Sequence, residues 1–223
     1  MMKYLLFPII VICVLTCLLG QANSKEVALK GKAGNKIVEL RYRNYDKNIR
    51  LTLSGQEIMI SLSGYDAKDF IIKDINGDGN DEILFLDLSG ISVGGELRVL
   101  IWNGQEYEEV EEEYSANLIQ LKIFNNHYYV LLIQHDTEDL FYVSDILFLK
   151  DKHLSSKVPK NLWGEIVHEY YLDKIKTTKQ NWKKSRYYAY CYLAYKDLGE
   201  IKKANEYYDK ARKLDQANPL LRL

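Results

Sequence analysis

One short segment of the chain carries oxygen atoms at a spacing that suits a hard metal cation. In residues 74–82, which read DINGDGNDE, oxygen-bearing side chains recur at every second position and again at the ninth. The candidate ligands are the side chains of Asp74, Asn76, Asp78 and Glu82 and the backbone carbonyl of Asn80. Ca²⁺ takes about six to eight oxygens in a flexible cage, whereas Mg²⁺ demands a tighter octahedron. The segment therefore predicts a calcium site, and Gly77 and Gly79 permit the positive φ angles of a tight loop.

The residues around this segment indicate which kind of calcium loop it is. An EF-hand loop would place a glutamate at its twelfth position, where this chain has Phe85. The flanking residues 70–72 and 83–86 are aliphatic or aromatic and predict strands instead of helices. The pattern D-x-N-x-D-G-x-x-E between two strands resembles the calcium loop of the FG-GAP/VCBS repeats of integrin-α-type propellers, closely over residues 70–86 and loosely over 60–110. This resemblance implies a calcium-stabilised, partial propeller-like β domain, and the alternative is a plain Asn-Gly-Asp-Gly hairpin turn.

Residues 1–22 have the pattern of a secretory signal peptide. Lys3 precedes an apolar run over residues 4–19, and small residues favour cleavage after Ala22. Two alternatives remain open, which are an uncleaved membrane anchor and lipidation of Cys17. In each case the sequence predicts an exported protein that is periplasmic, at the cell surface or secreted, with membrane contact only through this segment.

Composition and cysteine count narrow the classes of partner. The net charge of −1 over 223 residues implies no general attraction to nucleic acid, and no small-molecule substrate is evident. Cys13 and Cys17 belong to the predicted signal, so Cys191 is left without an intramolecular disulfide partner. Because Cys191 lies in an apolar helical pattern, it is predicted to be a buried thiol.

Residues 25–155 are predicted to form a β-rich calcium-loop domain. Short apolar runs alternate with turn residues, of which Asn103-Gly104 is the strongest hairpin signal. Besides the two strands that flank the loop, strands are predicted at residues 36–42, 49–53, 56–62, 97–102, 118–124, 128–133 and 141–149. The six glutamates of residues 106–113 favour a solvated strand edge over a second cation site. The fold class is therefore predicted as α+β with an antiparallel β meander.

A pattern associated with hydrolases also occurs but lacks its context. Residues 90–94 read GISVG and match the G-x-S-x-G nucleophile elbow. That motif requires a following helix in an α/β sheet, whereas a predicted strand follows here. We find no paired acid and base for catalysis, so the sequence favours a protein that is not an enzyme.

Residues 156–223 change to helical spacing. The regularly spaced residues are Tyr188, Cys191, Tyr192, Tyr195, Leu198, Gly199, Ala204, Tyr208 and Ala211. Over residues 185–218 this spacing resembles one tetratricopeptide (TPR) repeat, in which Gly199 ends the first helix. A single repeat cannot bury its own face, so the tail is expected to dock on the β domain, pair with another chain or form a small bundle.

The TPR-like resemblance implies a surface for a protein partner. In such repeats the inner surface comes from the first helix, here near Arg186, Ala189, Tyr190, Leu193 and Lys196. Ala189 and Leu193 replace the Lys and Asn that hold a peptide carboxylate in chaperone-binding members, which argues against that ligand. The sequence as a whole predicts an exported calcium-binding scaffold or protein-interaction protein with a structural metal. The alternative is an inhibitor or immunity protein against a lysozyme-type hydrolase.

Overall fold

The computed structural model describes residues 26–88, 94–135, 140–150 and 152–222. The predicted signal segment and residues 90–93 of the G-x-S-x-G pattern lie outside these ranges. The described residues form three antiparallel sheets followed by three helices, which confirms the α+β prediction. Among the described residues no helix has the length and apolar character needed to cross a membrane.

The first sheet is a four-stranded meander in which each strand pairs with the next. Its strands are β1 (Glu26–Ala33), β2 (Lys36–Arg43), β3 (Asn48–Leu53) and β4 (Gln56–Ser61). The turn between β3 and β4 uses Ser54 and Gly55 at φ angles of 52° and 84°, as expected of a two-residue hairpin with both central residues in the left-handed region. Strand β1 was not predicted from the sequence, because its run of small and charged residues carries a weak strand signal.

The second sheet contains the candidate calcium loop between its first two strands. Its strands are β5 (Asp66–Lys73), β6 (Glu82–Leu88), β7 (Gly95–Trp102), β8 (Tyr107–Glu109) and β9 (Tyr114–Ala116). Both β8 and β9 pair with β7, so together they make a broken fourth strand at the edge of the sheet. The break falls within the glutamate-rich residues 106–113.

The third sheet repeats the meander, and three helices follow it. Its strands are β10 (Leu118–Phe124), β11 (His127–His135), β12 (Phe141–Lys150) and β13 (His153–Ser155). The helices are α1 (Lys160–Thr177), α2 (Asn181–Asp197) and α3 (Ile201–Leu214), and a 3₁₀ turn covers Pro219–Arg222. The single meander predicted from sequence is therefore three separate sheets, because strand pairing stops at the two connections between them.

The three sheets and the helices stack face to face in four layers. Strand β6 is buried on both faces, with Phe85 in the core shared with the first sheet and Leu84 in the core shared with the third. The opposite face of the third sheet, including Leu131 and Ile146, packs against α1 and α2. The helical tail therefore docks on the β domain, which is the first of the three arrangements expected from sequence.

The outward faces of the first and third sheets differ in what covers them. The outward face of the first sheet is polar, with ion pairs such as Lys30–Glu39 at 2.5 Å. The outward face of the third sheet is covered by the helices, where Cys191 is fully buried and burial raises the pKa of its thiol to about 12. The buried thiol predicted from sequence is thus confirmed.

Candidate metal-binding loop

The loop of residues 74–81 lies at an edge of the layers where strands end, and hairpin turns of the first and third sheets lie at the same edge. The backbone N–H of Gly34, in the turn after β1, donates to Asn80 Oδ1 at 2.6 Å. On the other side, Lys73 Nζ lies 5.6 Å from the ring centroid of Tyr128, next to the turn before β11. The loop therefore sits between its two neighbouring sheets as well as between β5 and β6.

The loop is folded by hydrogen bonds from its own backbone to its acidic side chains. Asp74 accepts the N–H of Gly77 at 2.7 Å on one oxygen and the N–H of Gly79 at 3.0 Å on the other. Both glycines have positive φ, 82° and 88°, as the sequence predicted. Two neutral N–H groups therefore hold the Asp74 carboxylate inside the curve of the loop.

Asn76, Asp78 and Glu82 are brought together in the middle of the loop. The amide Nδ2 of Asn76 donates to Asp78 Oδ2 at 3.1 Å and to Glu82 Oε1 at 3.0 Å. One partly positive NH₂ group thus stands between two carboxylates. A bound cation would supply this positive charge in full, and the Asn76 amide would then present its oxygen to the ion.

Glu82 is the most unusual of these residues because its side chain is completely buried. It is 0% exposed and accepts hydrogen bonds from the backbone N–H of Ile75 at 2.8 Å and from Asn76. Burial, reinforced by the Asp78 and Asp74 carboxylates, raises its pKa from 4.5 to about 7. No cationic side chain of the described residues forms an ion pair with it, so its negative charge has no full counter-charge.

A second fully buried carboxylate in the same strand shows the contrast. Asp87 accepts bonds from Ser63 N, Ser63 Oγ and Gly64 N at 2.8–2.9 Å and lies 3.4 Å from the guanidinium of Arg98. This buried charge is compensated by a cation of the chain itself. Within the described residues Glu82 has only neutral donors, so no side-chain cation there offsets its charge.

The last two loop residues anchor the loop to the first sheet. Asp81 exchanges two hydrogen bonds with the backbone of Lys32, at 2.6 and 2.7 Å, and its carbonyl accepts the hydroxyl of Tyr107 at 3.1 Å. The side chain of Asn80 is used for Gly34, which leaves its backbone carbonyl as its only possible contribution to a metal site. The ends of the loop are therefore fixed, whereas the predicted ligands lie in the span between them.

The predicted ligands are oxygen atoms, as calcium requires, but they do not surround a common point. Among the described residues no three His, Cys, Asp or Glu side chains converge closely enough to hold a metal ion. The structure brings Asn76, Asp78 and Glu82 together, whereas Asp74 is turned towards two glycine N–H groups. Calcium binding at this loop would require Asp74 to move towards the other three side chains.

Two cavities open beside the loop and share a residue that sequence reasoning missed. One, of about 550 Å³, is lined by Asn76 and Asp78 together with residues of β7, β11 and β12, and another, of about 390 Å³, lies between the loop and the turn before β11. His127 lines both cavities. Its Nδ1 bonds the carbonyl of Asn125 at 2.8 Å, so in the neutral imidazole Nε2 would be the acceptor. Its position follows from the packing of the third sheet on the second, for which the sequence holds no local signal.

The helical surface that the TPR-like resemblance assigned to a partner is largely covered. Ala189 is fully buried, and the ring of Tyr190 stacks on Tyr171 at 5.1 Å and lies 6.1 Å from Tyr142 of β12. Lys196 at the end of α2 is exposed. Of the residues expected to bind a ligand, Tyr190 instead helps to attach the tail to the third sheet.

The turn between α2 and α3 has the geometry predicted for it. Gly199 has a φ of 76° and its N–H donates to the carbonyl of Lys196, while the N–H of Glu200 donates to the carbonyl of Tyr195. These two bonds form a Schellman motif, which requires a left-handed residue at Gly199. The helix end predicted from Leu198-Gly199 is therefore confirmed.

Three of the six glutamates in residues 106–113 are paired with basic side chains. Glu109 lies 2.5 Å from Arg98, Glu108 lies 3.0 Å from Lys152, and Glu112 lies 2.9 Å from a ring nitrogen of His153. Glu106, Glu111 and Glu113 form no ion pair within the described part of the chain. The run therefore lies at a strand edge and is partly neutralised by the third sheet.

Comparison of the chain with protein-family models, with curated proteins and with solved structures finds no match in any of the three.

Proposed function

We propose that this protein is an exported, calcium-dependent scaffold for protein interactions in which the metal has a structural role. The observation that carries the proposal is Glu82, a fully buried carboxylate with neutral donors and no cationic partner among the described residues. The ion would be held by Asp74, Asn76, Asp78, Glu82 and the carbonyl of Asn80. It would neutralise the crowded carboxylates and fix the loop.

The position of the loop supports a structural role for the metal. The loop is bonded to the first sheet through Asn80 and Asp81 and faces the third sheet across the cavity beside His127. An ion at this point would stiffen the junction of all three sheets. Three successive four-stranded meanders are also what a partial, open propeller would contain, in agreement with the FG-GAP/VCBS resemblance, and α2 with α3 would be its TPR-like hairpin.

The proposed metal site can be tested by calorimetric titration of residues 26–223 with Ca²⁺ and with Mg²⁺. We expect one calcium site per chain, weak or absent heat with Mg²⁺, and loss of calcium binding in Asp78→Asn. The matched control is Asp46→Asn, which removes one carboxylate from an exposed turn and should bind calcium like the wild type. Equal calcium heats in the Asp78→Asn variant and the wild type would reject the site.

The partner surface of this scaffold is expected away from the covered face of α2. The exposed surfaces nearest the loop are the cavities lined by Asn76 and His127, so calcium would shape the region that a partner contacts. A protein partner identified by cross-linking should therefore bind more tightly in calcium than in EDTA. It should also lose this difference, but not all binding, in Asp78→Asn.

A second candidate function is inhibition of a cationic hydrolase of the lysozyme type. It is favoured by the glutamates at the edge of the second sheet, where Glu96 and Glu113 line a cavity of about 360 Å³ and Glu111 has no ion pair within the described residues. The test is inhibition of lysozyme activity by the wild type, with Glu111→Gln/Glu113→Gln as the variant. Inhibition that is lost in this variant would favour this function, and absence of inhibition by the wild type would exclude it for that enzyme.

A further inference from the structure

The outward face of the first sheet contains a pair of like charges that antiparallel sheets normally avoid. Arg41 of β2 lies directly opposite Arg50 of β3 in the strand register, and their side chains are 61% and 60% exposed. Like charges at directly opposite positions destabilise a pair of strands. Since neighbouring positions such as Lys30 and Glu39 carry opposite charges, this exception needs a separate explanation.

A third arginine lies on the same face, beside the first two. Residues two apart in a strand share a face, so Arg43 stands beside Arg41. In the register of β1 and β2 it lies opposite Glu26. Among the described residues Arg43 forms no ion pair. Three guanidinium groups therefore converge on the end of the sheet opposite to the metal-binding loop.

The carboxylates of this face do not neutralise the three arginines. Glu39 lies 3.5 Å from Arg41 but is held more closely by Lys30, at 2.5 Å. The only ion pair that Arg50 forms with a described residue is a distant one of 3.9 Å to Glu57. Glu26 and Asp46 are near but form no ion pair with any described residue. The arginines thus keep donors available for another acceptor.

The space between these side chains suits a small anion. A cavity of about 330 Å³ is lined by Arg41, Arg43 and Arg50, with Asn48 adding an amide and with Glu26 and Asp46 also present. A guanidinium group offers a planar fork of donors that matches the oxygen atoms of phosphate or sulfate. An anion between Arg41 and Arg50 would also convert their repulsion into two attractive contacts.

We propose that Arg41, Arg43 and Arg50 form a binding site for a phosphate or sulfate group. The group is either a free anion or an ester displayed on a larger surface such as a lipid headgroup. The site is independent of the calcium loop. The loop contacts the turn between β1 and β2, whereas the arginines lie towards the opposite ends of the strands of the first sheet.

The first experiment follows binding of inorganic phosphate by thermal unfolding and by the arginine side-chain NMR signals, against sodium chloride of equal ionic strength. We expect saturable binding by the wild type and an affinity lower by about tenfold or more in Arg41→Gln/Arg50→Gln, because each lost contact is a charge-assisted hydrogen bond. The control Lys202→Gln/Lys213→Gln removes two exposed charges from α3 and should bind like the wild type. A wild type without saturable binding, or equal losses in both double variants, would overturn the site.

One further variant, one control in chloride and one further probe complete the test. Arg41→Lys/Arg50→Lys keeps the charge but lacks the fork, so its phosphate affinity should also fall, and wild-type affinity in this variant would contradict guanidinium recognition. In chloride alone Arg41→Gln/Arg50→Gln should unfold at a temperature equal to or above that of the wild type, since the repulsion between the two arginines is removed.

Co-sedimentation with phosphatidylcholine vesicles with and without phosphatidylglycerol identifies the source of the bound phosphate group. Retention that depends on phosphatidylglycerol and on the arginines assigns a headgroup, and phosphate binding without retention assigns the free anion.

Discussion

Replacing Glu82 by glutamine should stabilise the metal-free protein at alkaline pH and destabilise the calcium-bound one. In the absence of metal, burial raises the pKa of Glu82 from 4.5 to about 7, so the folded state holds a proton that the unfolded state has already lost. The stability of the wild type therefore falls as the pH rises from about 4.5 to about 7, and the loss is complete above that range. A buried carboxyl group whose pKa is raised opposes folding only at pH values at which it is ionised.

The size of this effect follows from the shift in pKa. A rise from 4.5 to about 7 corresponds to about 3 kcal/mol of lost stability at pH values well above 7. Glutamine removes the charge and keeps one acceptor for Ile75, at the cost of about 1 kcal/mol for the hydrogen bond to Asn76. We therefore expect Glu82→Gln in EDTA at about pH 8 to be more stable than the wild type by about 2 kcal/mol.

Urea unfolding in EDTA across the pH range measures this difference, with Glu57→Gln as the control at an exposed position. The advantage of Glu82→Gln should disappear below about pH 4.5, where the wild-type carboxyl is protonated in both states. In calcium the wild type should be more stable than Glu82→Gln, because the variant has lost a ligand of the ion. A metal-free variant that is less stable than the wild type at about pH 8 would refute the claim that Glu82 carries an uncompensated charge.

Three further substitutions test other parts of the structure by urea unfolding. Arg98→Met should cost about 3–5 kcal/mol, because it leaves the buried Asp87 carboxylate without its cation, and a cost below about 1 kcal/mol would contradict this pairing. Gly64→Ala should cost about 3 kcal/mol, because an added Cβ would lie 2.0 Å from the carbonyl oxygen of Leu88, and an unchanged stability would show that the backbone at Gly64 does not approach the end of β6 so closely. Gly199→Ala should cost about 1 kcal/mol at φ 76°, and Gly199→Asn should cost less, so equal stabilities of all three proteins would argue against the left-handed helix end.

The strands and helices with strong local patterns could be predicted from the sequence. The alternation of apolar and polar residues located β2 and β3, and the helical spacing of small and aromatic residues located α2 and α3. The turns at Gly55 and Gly199 were found because only a few residue types tolerate positive φ. These features depend on neighbours within a few residues of each other, which a single sequence shows directly.

The features that depend on packing between elements could not be predicted. The short strands β9 and β13 exist because they pair with β7 and β12, and their three-residue sequences carry no pattern of their own. The burial of Glu82 and the approach of His127 to the loop follow from how the second and third sheets meet. The same holds for Tyr190, which the repeat pattern placed on an open surface and which the third sheet covers.

Whether calcium binds and stabilises this loop can be measured by thermal unfolding of residues 26–223 in calcium and in EDTA, with the wild type and Asp78→Ala side by side. A ligand that binds only the folded state stabilises it by about 2.7 kcal/mol at a hundredfold excess over its Kd. We expect a calcium-dependent rise in the Tm of the wild type that is absent from the variant. A wild-type Tm that is the same in calcium and in EDTA would contradict this expectation and would reduce the loop to a structural turn.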